Sequence, residues 1–167
     1  MDEKLANRIV AFYQKRLPTL LGNHAVNFFK DNFDRQGFLN LVLEPWQPRK
    51  AVQQFRRRGV LNKKGNASRL VPTRAWTRNA GRGILIGLAG GAMLKRSTRL
   101  ESAAPTKVVI ANNLPYAAIH NYGLNGLAFG KHPFKMPKRQ FIGPSETMNK
   151  ELESITMKEL TKIITNK

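Results

Sequence analysis

The chain has 167 residues, of which 41% are hydrophobic, including 9 Phe and 2 Trp. This is the length and composition of a single domain with its own core, so a two-domain enzyme is not expected. The 29 Lys and Arg residues outnumber the 10 Asp and Glu residues and leave a net charge of +19. Such an excess is unfavourable through self-repulsion unless an anionic partner or an assembly lies against it. Cysteine is absent, which excludes disulfides, thiolate metal sites and thiol nucleophiles.

The sequence carries no signal that predicts export or membrane insertion. Charged residues open the chain at Asp2, Glu3 and Lys4, so a signal peptide is not expected. The longest nearly apolar run, Ile84 to Leu94, contains glycines and is shorter than the roughly 18 residues of a membrane span. These features predict a soluble, intracellular protein without a membrane partner.

Helical periodicity predicts two helices at the start of the chain. Apolar residues recur at helical spacing from Asp2 to Leu17, and Pro18 is expected to interrupt or kink this helix. A second stripe begins after Thr19, a candidate N-cap, and ends before Gly37, a residue type that commonly stops helices. We predict that these helices supply much of the core, above all through Phe28, Phe29 and Phe33.

The excess charge is concentrated in the middle of the chain. Residues 35–99 contain fifteen basic residues and one acid, Glu44, a net charge of +14. The part between Glu44 and Gly83 is rich in turn residues and, apart from the short Arg49–Arg58 stretch, shows no sustained helical or strand period. We predict an extended basic arm at about residues 45–83, mobile in the free subunit and ordered by a partner. The alternative is a solvated loop whose charge only maintains solubility. The candidate contacts to nucleic acid or to an acidic protein are Arg56, Arg57, Arg58, Lys63, Lys64, Arg69, Arg74 and Arg78.

The rest of the chain predicts a small antiparallel sheet followed by helices and a loop. Strands are predicted at Leu94–Glu101 and Lys107–Asn112, and a short helix at Pro115–Tyr122 that ends at Gly123. Residues 124–136 indicate a hairpin or protruding loop. A final amphipathic helix is expected to begin near Pro144 or Ser145. This order of elements is typical of an α+β domain.

The chain contains few of the residues that catalysis or metal binding requires. The three histidines lack the spacing of a zinc site, and we expect no metal, no cofactor and no catalytic residue. His24 is expected to be partly buried on its helix, and His120 to stack on Tyr116 four residues earlier. The glycine-rich run Gly81–Gly91 lacks the Lys-Ser/Thr ending of a P-loop, which favours a hinge or a close contact between subunits.

Two motifs near the C-terminus occur in a fixed order. They are Leu114-Pro-Tyr-Ala-Ala-Ile-His-Asn-Tyr-Gly123 and Met136-Pro-Lys-Arg-Gln-Phe-Ile-Gly143, and the terminal helix follows them. Together with Asn27–Phe33, Trp46–Lys50 and Gly91–Ser97, they resemble the Mu-like phage virion morphogenesis, or tail completion, family. The motif residues singled out are Tyr116, His120, Gly123, Pro137, Arg139 and Phe141.

The resemblance implies a non-enzymatic structural protein of a tailed phage or prophage. Such a protein acts in tail completion or in head–tail joining at the neck, as a homo-oligomeric ring such as a hexamer. The implied partners are tail-tube, tail-terminator or connector proteins, and the implied location is the tail or neck of a virion assembled in the host cytoplasm. We expect Tyr116, Gly123 and Phe141 to serve packing, with Tyr116, Ile119 and Tyr122 against the sheet.

Two other functions remain open from the residues alone. A basic accessory protein would bind nucleic acid non-specifically by gripping phosphates through residues 49–82. A small hydrolase or nuclease would use His120 or Glu101.

Overall fold

The computed structural model describes residues 3–48, 55–59, 68–73, 77, 82–86, 92–128 and 130–165, and it confirms the predicted α+β class. The helices are α1 (Glu3–Ala11), α2 (Leu17–Arg35), α3 (Met93–Ser97), α4 (Ala117–Tyr122) and α5 (Glu146–Thr165), with a π-helical turn at Phe12–Arg16. The strands form antiparallel pairs: β1 (Gly37–Leu39) with β2 (Leu43–Pro45), β3 (Phe55–Gly59) with β4 (Ser68–Pro72), β5 (Arg99–Ala104) with β6 (Lys107–Ala111), and β7 (Asn125–Ala128) with β8 (His132–Lys135). Each described sheet therefore has two strands.

The N-terminal helices are present, but their junction differs from the prediction. The regular α-helix is interrupted just before Pro18, near the predicted position, and Pro18 itself lies in the first turn of α2. The irregularity in the helix is the π-helical turn, which comes before Pro18 in the chain. Thr19 is not the N-cap, since Arg16 occupies that position, and α2 ends at Gln36 in a left-handed conformation (φ 56°).

The predicted strand at Leu94–Glu101 is wrong in its first half. Met93–Ser97 forms the short helix α3, and the strand β5 begins at Arg99. Polar side chains satisfy the end of this helical turn: the Thr98 hydroxyl donates to the Leu94 carbonyl at 3.0 Å, and the Asn112 amide donates to the same oxygen at 2.6 Å. The predicted hairpin at 124–136 is confirmed as β7–β8.

The described part of the basic arm contains a hairpin that the sequence did not predict. Strand β3 pairs with β4 in a register that places Arg58 opposite Arg69. Residues 49–54, 60–67, 74–76 and 78–81 lie outside the described residues, so the mobility of the arm stays a prediction.

The core lies on both sides of α2, as its phenylalanine stripe predicts. Phe28 and Phe29 pack with Phe38 of β1, while Phe33 packs with Trp46 and with Phe141. The Phe33 ring centroid lies 5.4 Å from that of Trp46 and 5.1 Å from that of Phe141. Long-range aromatic contacts therefore join the start of the chain to residues near its end.

Helix α5 lies against α1 and α2 and is joined to the N-terminal helices by polar contacts. The His24 imidazole lies 2.8 Å from the Glu151 carboxylate, and Arg16 lies 3.5 Å from Glu159. His24 is partly buried, as predicted. In the described ranges, no helix is long and apolar enough to cross a membrane.

Candidate functional site

Residues 136–143, here called the return segment, follow β8 and run along helix α4. The Asn121 side chain of α4 binds this segment with three hydrogen bonds. Its Oδ1 accepts from the Phe141 and Ile142 N–H groups at 2.8 and 3.0 Å, and its Nδ2 donates to the Ile142 carbonyl at 3.0 Å. An amide supplies an acceptor and a donor on one side chain, so Asn121 pairs with the backbone as a neighbouring strand would.

The end of α4 fits closely against the same segment. Gly123 adopts φ +70°, and a Cβ there would lie 2.8 Å from the backbone nitrogen of Lys138. Glycine is favoured for both reasons, the left-handed conformation and the lack of space. The Arg139 N–H donates to the His120 carbonyl at 2.8 Å, which adds a second direct link between α4 and the return segment.

Residues from the N-terminal part of the chain hold the segment from the other side. The Trp46 indole N–H donates to the Gln140 carbonyl at 2.7 Å, and the Asn32 amide donates to the Phe141 carbonyl at 3.2 Å. Polar side chains that are buried and fully bonded in this way make a rigid arrangement. The return segment is therefore a preformed structure held from both sides.

The Arg139 side chain connects the return segment to the start of the basic arm. Its Nε donates to the Gln47 carbonyl at 3.1 Å, and its Nη1 lies 3.7 Å from the Met136 sulfur. Arg139 is only 7% exposed, so its position is fixed by these contacts. It brings a positive charge to a largely apolar surface.

That surface is a groove made of two hollows, of about 340 and 520 Å³, which share Met136 and Arg139. The first hollow is lined mainly by Ile84, Leu85, Ile86, Met93, Leu94, Tyr116 and His120. The second is lined mainly by Gln47, Pro48, Phe134, Lys135 and Pro137. Among these described lining residues none is Asp or Glu. The groove can thus accept an apolar segment that carries negative charge.

His120 lines this groove together with Arg139. Its ring meets the Tyr116 ring edge to face, with centroids 6.1 Å apart, which confirms the predicted stacking. Burial, and secondarily the nearby Arg139 charge, lowers the pKa of His120 below its ordinary value. Its Nδ1 atom is buried and has no hydrogen-bond partner within the described part of the chain.

Comparison with protein families agrees with the motifs. The profile of the phage virion morphogenesis family matches residues 72–161, just over half of the chain. The chain belongs to this family. Searches of curated proteins and of solved structures found no significant match. The matched range of this virion morphogenesis protein contains α4, the return segment and most of the groove, whereas Trp46 and Gln47 precede it.

The structure brings the six motif residues of the virion morphogenesis protein together around α4 and the return segment. Phe141 is fully buried and Gly123 is required by the backbone, as expected. Tyr116 and Tyr122, which were expected against the sheet, are both exposed, and Ala117 and Asn121 form the buried face of α4. On this inward face the short Asn121 amide supplies both an acceptor and a donor to the backbone of Phe141 and Ile142.

Asn121 is the main residue that sequence reasoning missed in this family member. It lies in the first motif, between His120 and Tyr122. A polar residue between two ring side chains was the feature of the sequence that could have indicated its role. Asn32 is a second residue that sequence reasoning missed, and it lies among the buried residues of α2. It is fully buried and binds both Phe141 and the Leu39 N–H.

The structure locates only some of the predicted basic contacts. Arg56, Arg57 and Arg58 belong to β3, and Arg69 belongs to β4. The remaining ones, Lys63, Lys64, Arg74 and Arg78, lie outside the described residues. Of the glycine-rich run, residues 82–86 are described, and the Gln36 side chain binds both backbone polar groups of Ile84. The predicted hinge stays a prediction.

Proposed function

We propose that this protein is a structural subunit that completes the tail, or joins head and tail, in a tailed phage or prophage, as a ring of identical subunits. The observation that supports this most is the groove beside the motif residues. It is apolar, bounded by cations and built on a segment held rigidly by hydrogen bonds. A preformed surface of this kind binds a partner with little loss of conformational freedom.

We propose a binding role rather than an enzymatic one for the groove. Its charged lining residues are Lys135 and Arg139, and Arg139 is anchored to Gln47 and Met136. Acid–base catalysis needs convergent titratable groups near a reacting atom, and among the described lining residues His120 has no Asp or Glu beside it. Tail-tube, tail-terminator and connector proteins with acidic surfaces are the partners that suit a chain of charge +19.

A ring requires at least two different contact surfaces on each subunit, and the chain exposes several apolar residues away from the groove. Val42 and Leu127 are examples, at 75% and 62% exposure. Exposed aliphatic side chains at separate places are expected where a subunit meets two neighbours.

Two measurements test the proposal together. Sedimentation velocity of the full chain over a wide concentration range is expected to show a discrete oligomer. Mass spectrometry of purified virions is expected to detect the protein, and deletion of its gene is expected to leave unjoined heads and tails. A chain that stays monomeric at every concentration and is missing from virions would overturn the proposal.

The hairpin β3–β4 supports a second candidate, phosphate binding by the arm. Its register places Arg58 opposite Arg69, with Arg56 and Arg57 on the same strand. This density of positive charge favours an anionic partner such as the DNA that passes through a neck.

Duplex binding measured by fluorescence anisotropy tests the second candidate. Replacing Arg56, Arg57 and Arg58 with Ala is expected to weaken binding. The slope of log binding constant against log salt concentration is expected to become shallower by about 0.9 for each phosphate that the variant no longer neutralises. The matched control replaces the exposed Lys107, Lys150 and Lys158 with Ala, which removes equal charge from other elements. Equal effects of the two triple variants, or a flat salt response, would refute phosphate binding by the arm.

A further inference from the structure

The loop that joins β1 to β2, together with Leu43 at the start of β2, exposes an unusual run of aliphatic side chains. Leu41, Val42 and Leu43 are 56%, 75% and 39% exposed. Tight connections between strands normally carry Gly, Asn, Asp, Pro or Ser, because these residues suit turn geometry and water. Three consecutive aliphatic residues at such a position indicate a surface that another molecule covers.

Hydrogen bonds between the residues just before it and the start of α5 hold this tip, residues 41–44, in place. Asn40 accepts from the Glu146 N–H at 2.9 Å through its side chain and from the Thr147 hydroxyl through its carbonyl. The Ser145 hydroxyl donates to the Leu39 carbonyl at 2.8 Å. The start of α5 therefore fixes the base of the hairpin, and the apolar tip is presented in one orientation.

The fourth residue of the tip, Glu44, carries a negative charge. Glu44 is the single acid in residues 35–99, and its side chain is exposed. Within the described part of the chain, its carboxylate makes no hydrogen bond or ion pair. The tip is thus an apolar segment that ends in a carboxylate.

The groove has the complementary character. Its lining is apolar, it includes Lys135 and Arg139, and no Asp or Glu is among the described residues that line it. Lys135 is exposed. We propose that the tip of one copy of this chain enters the groove of a second copy, with Glu44 against Lys135. This inference rests on the proposed ring and names the contact that closes it.

The tip and the groove are different parts of one subunit. In its own subunit the tip lies beside the start of α5, whereas the groove begins at Gln47, beyond β2 and Trp46. A contact between two unlike surfaces is heterologous, so each copy can bind one neighbour with its tip and another with its groove. Repetition of the contact closes a ring or continues as a filament.

Sedimentation velocity on purified full-length variants tests the contact. Val42→Asp places a charge in the apolar part of the tip and is expected to raise the dissociation constant of the oligomer by about tenfold or more. Met157→Asp is the matched control, since Met157 is 64% exposed on α5 and lies outside the groove lining. It is expected to assemble as the wild type does. Circular dichroism verifies that both variants fold.

A charge exchange tests the pairing itself. Glu44→Lys and Lys135→Glu are each expected to weaken assembly, and the double variant is expected to recover most of it, because the exchange restores opposite charges. A double variant that assembles no better than either single variant would overturn the pairing.

The outcomes distinguish this contact from the ring. If Val42→Asp assembles as the wild type does, the contact is wrong and the ring stands. If Val42→Asp keeps its oligomer but is absent from virions, the tip binds another virion protein, and contact between copies is also overturned. If the wild type is monomeric throughout and missing from virions, both the ring and the contact fail.

Discussion

The hydrogen bonds of Asn121 are expected to be the largest single polar contribution to the stability of the motif region. Replacing Asn121 with Ala removes three hydrogen bonds to Phe141 and Ile142 and leaves their backbone groups in an apolar environment. Each intramolecular hydrogen bond contributes about 1 kcal/mol net, and more where its loss leaves a buried group unpaired. The higher helix propensity of Ala offsets about 0.5 kcal/mol. We expect a net loss of about 3 kcal/mol in the free energy of unfolding.

This loss is measurable by urea unfolding and by calorimetry. In a chain of this size, about 3 kcal/mol corresponds to a fall in melting temperature of roughly 6–12 °C. Asn149→Ala is the matched control, because Asn149 is also helical but exposed on α5. It is expected to change stability by less than about 0.5 kcal/mol. If the two variants differed by less than about 1 kcal/mol, Asn121 would not hold the return segment as argued.

Three further predictions concern the same region. Gly123→Ala is expected to lower the free energy of unfolding by about 2–4 kcal/mol, since a Cβ there meets a backbone nitrogen. Gly130→Ala is the control: this glycine has the same φ of +70° but open space around it, so the loss should be only about 1 kcal/mol. Equal losses of stability in thermal unfolding would contradict the close contact at Gly123. The lowered pKa of His120 means that the unfolded chain binds the proton more tightly, so its contribution to stability is present above pH 6.5 and is lost as the pH falls through the folded-state pKa. The difference between the urea unfolding midpoints at pH 7.5 and at about pH 5.5 should therefore be smaller in His120→Gln than in the wild type. An equal difference in both proteins would be evidence against this role of His120. Trp46→Phe removes the hydrogen bond to Gln140 inside the core and should destabilise by about 1–3 kcal/mol in urea unfolding; an unaltered midpoint would contradict it.

Local patterns were sufficient to predict much of the fold. The phenylalanine stripe of α2, the hairpin β7–β8 and the start of α5 after Ser145 all follow from the spacing of apolar residues and from turn residues. These signals depend on residues a few positions apart. The two C-terminal motifs likewise indicated the family that the profile match confirms.

Other local features were misread because distant residues decide them. The segment Met93–Ser97 is compatible with a strand by composition, but Thr98 and Asn112 satisfy its helical carbonyl. Tyr116 and Tyr122 were expected against the sheet, yet both are exposed, and Asn121 takes the buried face of α4, where the return segment offers it backbone partners. In both cases hydrogen bonds with residues elsewhere in the fold override local preference.

By itself, the sequence determined an α+β domain with a strongly basic middle and the motifs of a virion morphogenesis protein. Only the tertiary structure decided which residues come together as the groove. The groove combines residues from β8 and the return segment with Gln47, Met93 and Tyr116, which are far apart in sequence. Its shape depends on long-range packing around Phe33 and on backbone groups paired across the core, which no local spacing encodes. The same fold leaves Glu44, the single acid of the basic middle, exposed at the end of an apolar tip.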